Sequence, residues 1–285
     1  MGSKRILLLA KTPLTQRLES SVLTRLSRGG AVHLERLQVA ADTHERTLRT
    51  VRALISGHRV NEWKVEQLQP DEANGKDLII TVGGDGTVLT ANSLDSDVPM
   101  ITVNSDPHGS VGMYTRCTAE SFPALFQAYL DKTAIEEFIP RLHMTIDHGH
   151  PRAILNECLF ASANPAAMSR YVLTVGEQRE SQRSSGVWVS TASGSTAAIR
   201  SAGTEPVEAH TPALLYQVRE PFQGRAPMSL LQGKQSPPTG LSLMPAMPGI
   251  SVFIDGPHFQ RAVPPGSIVS FSASPKPLQL LRLPH

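Results

Sequence analysis

The sequence of 285 residues lacks most of the features that mark secreted, membrane and nucleic-acid-binding proteins. Its two cysteines, Cys117 and Cys158, are too few for a disulfide framework and do not have the spacing of a metal site. The longest apolar runs have only about half a dozen residues, whereas roughly 20 are needed to span a bilayer. The net charge is only +2 and no basic run is interleaved with aromatic residues, so we expect no nucleic-acid partner.

The composition is instead that of a globular chain. With 40% hydrophobic and 18% charged residues, the chain can bury a core and is not disordered. Its length allows about two domains. The first residues, "MGSK", lead directly into the apolar run Ile6 to Ala10, so we expect no signal or transit peptide. We therefore expect a soluble, cytoplasmic protein with no membrane partner.

The first part of the chain alternates between strand-like and helix-like segments. Strands are predicted at 5–10, 31–39, 77–82 and 98–104, and helices at 15–28, 43–56, after Thr87 and near 119–131. This alternation predicts a doubly wound, Rossmann-like parallel sheet over residues 1–135. Such sheets bind ligands at the carboxyl ends of their strands.

The pattern changes at about residue 136. Short segments of alternating polarity follow one another there, with prolines and glycines between them. This pattern predicts a β-rich, mostly antiparallel and sandwich-like domain over residues 136–285. The predicted fold class is therefore α/β followed by all-β.

The stretch "DLIITVGGDGTVLTAN", residues 77–92, places one carboxylate among glycines at the end of an apolar strand. Gly83, Gly84 and Gly86 permit positive φ and close approach of other atoms. Thr87 can cap the following helix, whose N-terminus favours an anion such as a phosphate. Because phosphates repel a carboxylate, Asp85 indicates proton abstraction or metal contact. The alternative interpretation is a tight turn with a solvated aspartate.

Two further segments carry polar residues in unusual places. In "LNECLF", residues 155–160, Asn156 and Glu157 interrupt an apolar strand. A glutamate can bind both hydroxyls of a ribose, or it can lie on the wet face of an edge strand. Residues 190–198 are all Ser, Thr, Ala or Gly. Such a segment can wrap closely around a nucleotide, or it can be a low-complexity linker.

Together these segments resemble the motifs of the NAD kinase family. The Gly-Gly-Asp-Gly-Thr turn stands at 83–87, the Asn-Glu pair at 156–157, and an altered Ser/Thr/Gly segment at 191–198. The segments "VNSDPHGSVGMY" at 103–114 and "VREPF" at 218–222 look like the mitochondrial-type branch found in animals. The chain departs from the family pattern at Ser185, where most members have Asp, and at Ala198, where they have an aromatic residue.

This resemblance implies an ATP-dependent kinase that phosphorylates the adenosine 2′-hydroxyl of NAD or NADH. Asp85 would accept the proton of that hydroxyl as it attacks the γ-phosphate of ATP. Gly83, Gly84, Gly86 and Thr87 would hold the phosphates, with Mg²⁺ as the accompanying cation and no protein ligand assigned to it. The residues implied to bind NAD are Asn104, Asn156, Glu157, Ser193, Gly194, Ser195, Thr196, Ala197 and Ser201.

The resemblance also implies an oligomer. Family members commonly complete the substrate site at subunit contacts, and the β-rich second half has strand edges that can pair. We therefore expect a homodimer formed through residues 136–285. Two other functions remain open at this point: a lipid kinase that shares the glycine turn, and a catalytically idle nucleotide sensor.

Overall fold

A computed structural model of the protein describes residues 2–110, 112–222, 224, 228–238, 240–256 and 259–284. Val111, inside the segment 103–114, lies outside them. The helices of this part of the chain are α1 Leu14–Arg17, α2 Ser20–Arg28, α3 Leu34–Ile55, α4 Asp85–Asn92 and α5 Phe122–Leu130. Its strands are β1 Arg5–Ala10, β2 Arg59–Lys64, β3 Leu78–Gly83, β4 Met100–Asn104, β5 Cys117–Thr118, β6 Ile135–Ile139, β7 Leu142–Ile146, β8 Arg152–Ile154, β9 Glu157–Ser162, β10 Ser169–Val175, β11 Gln178–Ser184, β12 Gly186–Thr191, β13 Leu214–Arg219, β14 Gln232–Gln235, β15 Leu241–Pro245, β16 Ile250–Ile254, β17 Phe259–Val263, β18 Val269–Ala273 and β19 Leu278–Arg282.

The chain divides into two compact units, Met1–Glu137 with Gln279–His285 and Phe138–Leu278. The first unit contains a sheet with the strand order β2-β1-β3-β4-β19-β6, and β5 pairs with β4. Strands β2, β1, β3 and β4 are parallel neighbours, which confirms the predicted doubly wound sheet. Strand β19 returns to this sheet from the far end of the chain, so the sheet is not built from residues 1–135 alone.

The core of the first unit lies between one face of this sheet and helices α3 and α5. Alternate residues of β1, β3 and β4 point to that face, as period-two strands require. They pack against residues of α3 and α5 that recur at helical spacing. The buried members are Ile6, Leu8, Ala10, Leu48, Val51, Ile55, Leu78, Ile80, Val82, Ile101, Val103, Cys117, Phe122, Leu125, Phe126 and Leu281.

Helix α3 corrects the prediction of a strand at 31–39. The helix begins at Leu34 and runs for 22 residues, through the predicted helix 43–56. Glu35, Arg36 and Gln38 are good helix formers, and the later turns of the same helix have a buried face. The helix propensity summed over the whole segment therefore favours one long helix. The predicted helix at 15–28 is divided into α1 and α2.

The second unit contains two six-stranded sheets, with the orders β11-β10-β15-β18-β7-β8 and β14-β13-β12-β9-β16-β17. Their pairings are antiparallel. Residues of both sheets share one hydrophobic core, which confirms the sandwich-like prediction. Its largest members include Phe160, Tyr171, Tyr216 and Phe271. None of the helices in the described ranges is both long and apolar enough to cross a lipid bilayer.

Candidate active site

The glycine turn lies at the carboxyl end of β3, in the middle of the first sheet. Helix α4 begins at Asp85 with Gly84 as its N-cap, so Thr87 belongs to the first turn and is not the cap that the sequence predicts. Gly83, Gly84 and Gly86 have no positive φ, which corrects one of the two reasons for expecting glycine there. Close approach of other atoms is the reason that remains.

The three glycines differ in how tightly they are enclosed. A Cβ at Gly83 would lie 2.8 Å from the Cβ of Thr87, and one at Gly84 would lie 2.9 Å from the Oγ of Ser110. Among the described residues, no atom outside the helix backbone and the adjacent residues lies within 4 Å of the corresponding position at Gly86. The turn is therefore closed by the protein at Gly83 and Gly84 and open at Gly86. Open space beside a helix N-terminus suits an anion, because the first N–H groups point outward there.

Asp85 does not extend into solvent as an ordinary turn residue would. Its Oδ2 accepts a hydrogen bond from the backbone N–H of Met113 at 2.9 Å, and its Oδ1 accepts one from Tyr114 at 2.8 Å. These two bonds fix the orientation of the carboxylate. Each oxygen keeps lone pairs for a further donor. The carboxylate is partly exposed and held in place, which fits an acceptor of fixed orientation.

The loop after β4 supplies the surroundings of this carboxylate. Asn104 is opposite Gly83 in the β3–β4 register, and Ser105 N–H donates to the carbonyl of Gly83 at 3.0 Å. The Asn104 side chain accepts a hydrogen bond from Asp106 N–H at 3.0 Å. Gly112 has φ +70, and a Cβ there would lie 2.9 Å from Nδ2 of Asn104. The structure thus places Asn104 beside the glycine turn and gives it a role in folding the loop.

A cavity of about 410 Å³ opens next to Asn104 within the first unit. It lies between helix α3 and the segments that follow β4 and β5. Hydroxyl groups dominate its wall, together with one cation and one carboxylate. The lining residues are Thr43, Arg46, Thr47, Thr50, Asn104, Pro107, Thr118, Ala119 and Glu120.

The Asn-Glu pair lies in the second unit, in the interior of a sheet. Strand β9 is flanked by β12 and β16, and Glu157 is only 5% exposed. The alternative of a solvated edge-strand glutamate is therefore wrong. Asn156 lies just before the strand, where its carbonyl accepts hydrogen bonds from Thr191 N–H at 3.0 Å and Ser190 Oγ at 2.9 Å.

The buried surroundings of Glu157 change its pKa and leave one of its oxygens without a donor. Burial and the negative charge of Asp255 raise its pKa to about 7, while hydrogen bonds from the backbone of Ala198 and Ile199 act in the opposite direction. Its Oε2 is buried and has no hydrogen-bond partner among the described residues. A buried acceptor without a donor is costly, and a hydroxyl from a bound sugar would satisfy it.

The Ser/Thr/Gly segment is a packed part of the second unit and not a linker. It forms two 3₁₀ turns, Ser193–Thr196 and Ala198–Ala202. The hydroxyls of Ser193 and Ser195 are buried and bond to backbone carbonyls of Leu155 and Val207. Their side chains therefore hold the segment together, while Thr196 and Ser201 are exposed and Ala197 is partly exposed.

The structure brings this segment and the Asn-Glu pair together. A Cβ at Gly194 would lie 2.6 Å from the Cα of Asn156, so only glycine permits this contact. The backbone of Ala198 and Ile199 donates to Glu157. Ala197 N–H donates to the carbonyl of Gly194 at 2.8 Å, which closes the first turn.

Asp255 is a site residue that the sequence did not indicate. It is 6% exposed with φ +51, and it accepts hydrogen bonds from the backbone N–H of Leu155 and Asn156. Its own N–H donates to the carbonyl of Glu157 at 2.9 Å. Asp255 therefore positions the Asn-Glu pair. Its sequence signal, an Asp-Gly after an apolar strand, is that of an ordinary turn.

Residues 12–134 match a family model described as the ATP-NAD kinase N-terminal domain. A probable NADH kinase from Oryza sativa subsp. japonica is 28% identical over 265 residues, which cover 84% of this chain and 81% of that protein. The chain is thus similar to NAD and NADH kinases over most of its length. This similarity fits the order in which the glycine turn, the Asn-Glu pair and the Ser/Thr/Gly segment occur.

Two solved structures from this family share the fold. An NAD kinase from Archaeoglobus fulgidus in complex with ATP is 22% identical with a TM-score of 0.65, and the match covers 98% of this chain and 93% of that one. Yeast NADH kinase complexed with NADH is 16% identical with a TM-score of 0.71, and the match covers 99% of this chain and 84% of that one. At these identities the likeness establishes the architecture.

Proposed function

We propose that the protein is an ATP-dependent NAD kinase that transfers the γ-phosphate of ATP to the adenosine 2′-hydroxyl of NAD or NADH. One observation carries the proposal. Asp85 stands at the carboxyl end of a parallel strand, beside an open helix N-terminus, with both carboxylate oxygens oriented by backbone donors. A fixed proton acceptor next to a phosphate-binding turn is what attack of a hydroxyl on a phosphate requires.

In this proposal Asp85 accepts the proton of the attacking hydroxyl and makes no covalent bond. The hydrogen bonds from Met113 and Tyr114 keep its oxygens in position without a search through side-chain rotamers. Such positioning is a large part of catalysis in phosphoryl transfer. Gly83, Gly84 and Thr87 shape the turn, and the open space at Gly86 receives the phosphates.

Mg²⁺ is the proposed cofactor, and it would enter with ATP. Magnesium keeps several waters and binds mainly substrate phosphates and one or two carboxylates, so it needs no cage of protein ligands. The described residues contain no group of three or more His, Cys, Asp or Glu side chains that could hold a metal ion. When bound, the cation neutralises charge on the transferring phosphate.

Glu157 is the proposed contact for a ribose of NAD. Its unpartnered, buried Oε2 can accept a hydrogen bond from a sugar hydroxyl, and Asp255 holds the backbone beside it. Asn156, Thr196, Ala197 and Ser201 are proposed to line the same ligand. The hydroxyls of Ser193 and Ser195, together with Gly194, support this surface from within.

The cellular setting and the finer family position are also proposals. Two buried cysteines without a disulfide fit a reducing compartment such as the cytoplasm. The segments at 103–114 and 218–222 support a place in the mitochondrial-type branch of animals.

The direct test is an assay of the purified protein with ATP, Mg²⁺ and either NAD or NADH, with NADP or NADPH as the measured product. We expect product with at least one of the two dinucleotides. Sphingosine and diacylglycerol serve as substrates in parallel assays. Phosphorylation of a lipid without NADP(H) formation would replace the proposal by a lipid kinase, and nucleotide binding without any turnover would indicate a sensor.

The role of Asp85 is tested with Asp85→Asn, which keeps the size of the side chain but cannot accept the proton. Loss of a general base costs roughly 10²–10⁴ in rate, so kcat should fall by about that factor. Binding of NAD and of a non-hydrolysable ATP analogue, measured by calorimetry, should change little. A parallel loss of both affinities would instead make Asp85 an anchor of the 112–114 loop, and near wild-type turnover would remove it from the mechanism.

A further inference from the structure

Lys11 directly follows β1, at the same end of the sheet as the glycine turn. Strands β1 and β3 pair in parallel with Ala10 opposite Val82, and Lys11 N–H donates to the carbonyl of Val82 at 3.0 Å. The next residues along the two strands are Lys11 and Gly83. A Cβ at Gly83 would lie 3.4 Å from the Cβ of Lys11, so the lysine side chain leaves the sheet on the face of the turn.

The Lys11 ammonium has no hydrogen bond or ion pair with any described residue. Burial lowers its pKa, while the carboxylate of Asp106 acts in the opposite direction. A partly buried cation is costly, because it has given up water, and the charge of Asp106 offsets only part of the effect of burial on its pKa. A ligand with negative charge would compensate this cost.

Two neighbouring groups, Arg116 and His44, are not available for this task. Arg116 lies at the same end of the sheet, but it forms a bidentate salt bridge with Glu137. Its Nε donates to Oε2 at 2.6 Å, and its Nη2 donates to Oε1 at 2.8 Å. Buried His44 contacts Ser105 through Nδ1 at 2.9 Å. Burial, followed by the charge of Lys11, lowers the pKa of His44 to about 4, so it is neutral at pH 7.

We propose that Lys11 binds the terminal phosphates of ATP and stabilises the charge of the phosphoryl group during transfer. The inference rests on the proposed function, because it names a further residue of that site. In P-loop proteins, a lysine within the glycine-rich turn itself reaches the β- and γ-phosphates. Here the lysine comes from the neighbouring strand and not from the turn.

The test compares Lys11→Met, Lys11→Arg and Lys132→Met, an exposed lysine of the first unit that serves as the matched control. Calorimetry measures binding of the Mg²⁺ complex of a non-hydrolysable ATP analogue, of ADP and of AMP. A hydrogen bond to a charged group supports a loss of about 10- to 100-fold in affinity for the triphosphate in Lys11→Met. The loss should be smaller for ADP and absent for AMP, with NAD affinity unchanged.

Three readouts separate this role from a structural one. Lys11→Met should melt at or above the wild-type temperature, because a partly buried charge is removed whose burial outweighs its interaction with Asp106. Lys11→Arg should recover part of the affinity, and Lys132→Met should behave as wild type. Unchanged triphosphate affinity, or an equal loss for AMP, would overturn the inference.

Failure of the inference can be told apart from failure of the proposed function. If the wild-type protein makes no NADP(H) but binds the triphosphate in a Lys11-dependent way, the function is wrong and the inference stands. If the wild type is active and Lys11→Met keeps both full activity and full affinity, the function stands and the inference is wrong.

Discussion

Glu157 illustrates how the surroundings of one side chain set its chemistry. The same glutamate on an exposed strand would be ionised and solvated at neutral pH. In the second unit it is buried beside Asp255, which raises its pKa to about 7. The folded protein therefore favours the protonated form of this residue, and ionisation is tolerated at a cost in stability.

This coupling makes a prediction about stability and pH. The folded-state pKa of about 7 lies above the ordinary glutamate pKa of 4.5, so the folded state holds the proton more tightly than the unfolded chain. Stability contributed by Glu157 is then fully present below pH 4.5 and is lost as the pH rises through 7. Glu157→Gln should stabilise the protein at pH 8 by on the order of 1–3 kcal/mol, and the gain should shrink towards pH 5.

Urea unfolding at pH 5, 6, 7 and 8 measures this difference. The matched control is Glu177→Gln, because Glu177 is exposed in a turn of the same unit. That substitution should change the free energy of unfolding by little at any of these pH values. A stabilisation by Glu157→Gln that is as large at pH 5 as at pH 8 would contradict the assigned cause.

At the scale of residues, the sequence reveals a site residue when its side chain is unusual for the segment around it. An aspartate among glycines and an Asn-Glu pair in an apolar strand are visible in this way. Asp255 is not, because Asp-Gly after a strand predicts a turn and nothing more. Lys11 is equally hidden, since its importance depends on a strand pairing with Gly83 that lies 72 positions further along the chain.

The turn between β3 and α4 shows that glycines within one element serve different purposes. Gly83 is required by the fold, because the side chain of Thr87 occupies the space beside it. Gly86 is not required by packing within the described residues, since none of them outside the local backbone lies near the position of its missing Cβ.

Two alanine substitutions in this element should therefore have opposite effects. Gly86→Ala adds a better helix former to α4 and should leave the melting temperature equal or slightly higher, by up to about 1 kcal/mol in stability. Affinity for the ATP analogue should fall, because the new methyl group stands where the phosphates approach. Gly83→Ala should destabilise the protein by roughly 1–3 kcal/mol through overpacking against Thr87.

Thermal unfolding and calorimetry on both variants measure these effects. If Gly86→Ala bound the analogue as well as wild type, the phosphates would have to lie elsewhere. If Gly83→Ala kept the wild-type melting temperature, Thr87 would be able to move aside, and the turn would be less rigid than its packing indicates.

At the scale of elements, hydrophobic periodicity predicts the buried strands β1, β3 and β4 and the helix α5. It fails for β2, Arg59–Lys64, because this strand lies at the edge of the sheet and its residues are mostly exposed. It also places a strand where α3 begins, since Val32, Leu34, Leu37 and Val39 leave the period ambiguous over so short a run. Tertiary packing of the rest of α3 favours the helical conformation for this run.

For the whole molecule, local patterns cannot reveal which segments meet after a long excursion. The sequence shows a change in its hydrophobic pattern near residue 136. One compact unit lies mostly before this position, and the other lies after it. The sequence contains no sign that Leu278–Arg282 pairs with β4 at Met100. Pairing of strands so far apart in sequence depends on the complete fold, and composition or periodicity contains no record of it.

We expect the protein to assemble as a homodimer through residues 136–285. The two sheets of the second unit end in open edge strands, which are β11 and β8 in one and β14 and β17 in the other. Unpaired N–H and C=O groups at such edges can pair with a second copy. Large apolar side chains are also exposed in this unit, namely Phe138, Phe222 and Ile268.

Light scattering on the purified protein should give about twice the monomer mass of 30.8 kDa at micromolar concentration. Replacing Phe138, Phe222 and Ile268 together by serine should increase the monomer fraction, because burial of such side chains contributes most of the association energy. The control is Val39→Ser, which removes a side chain of the first unit that is 62% exposed. It should leave the mass unchanged. A wild-type monomer with full kinase activity at this concentration would show that the substrate site needs no second subunit.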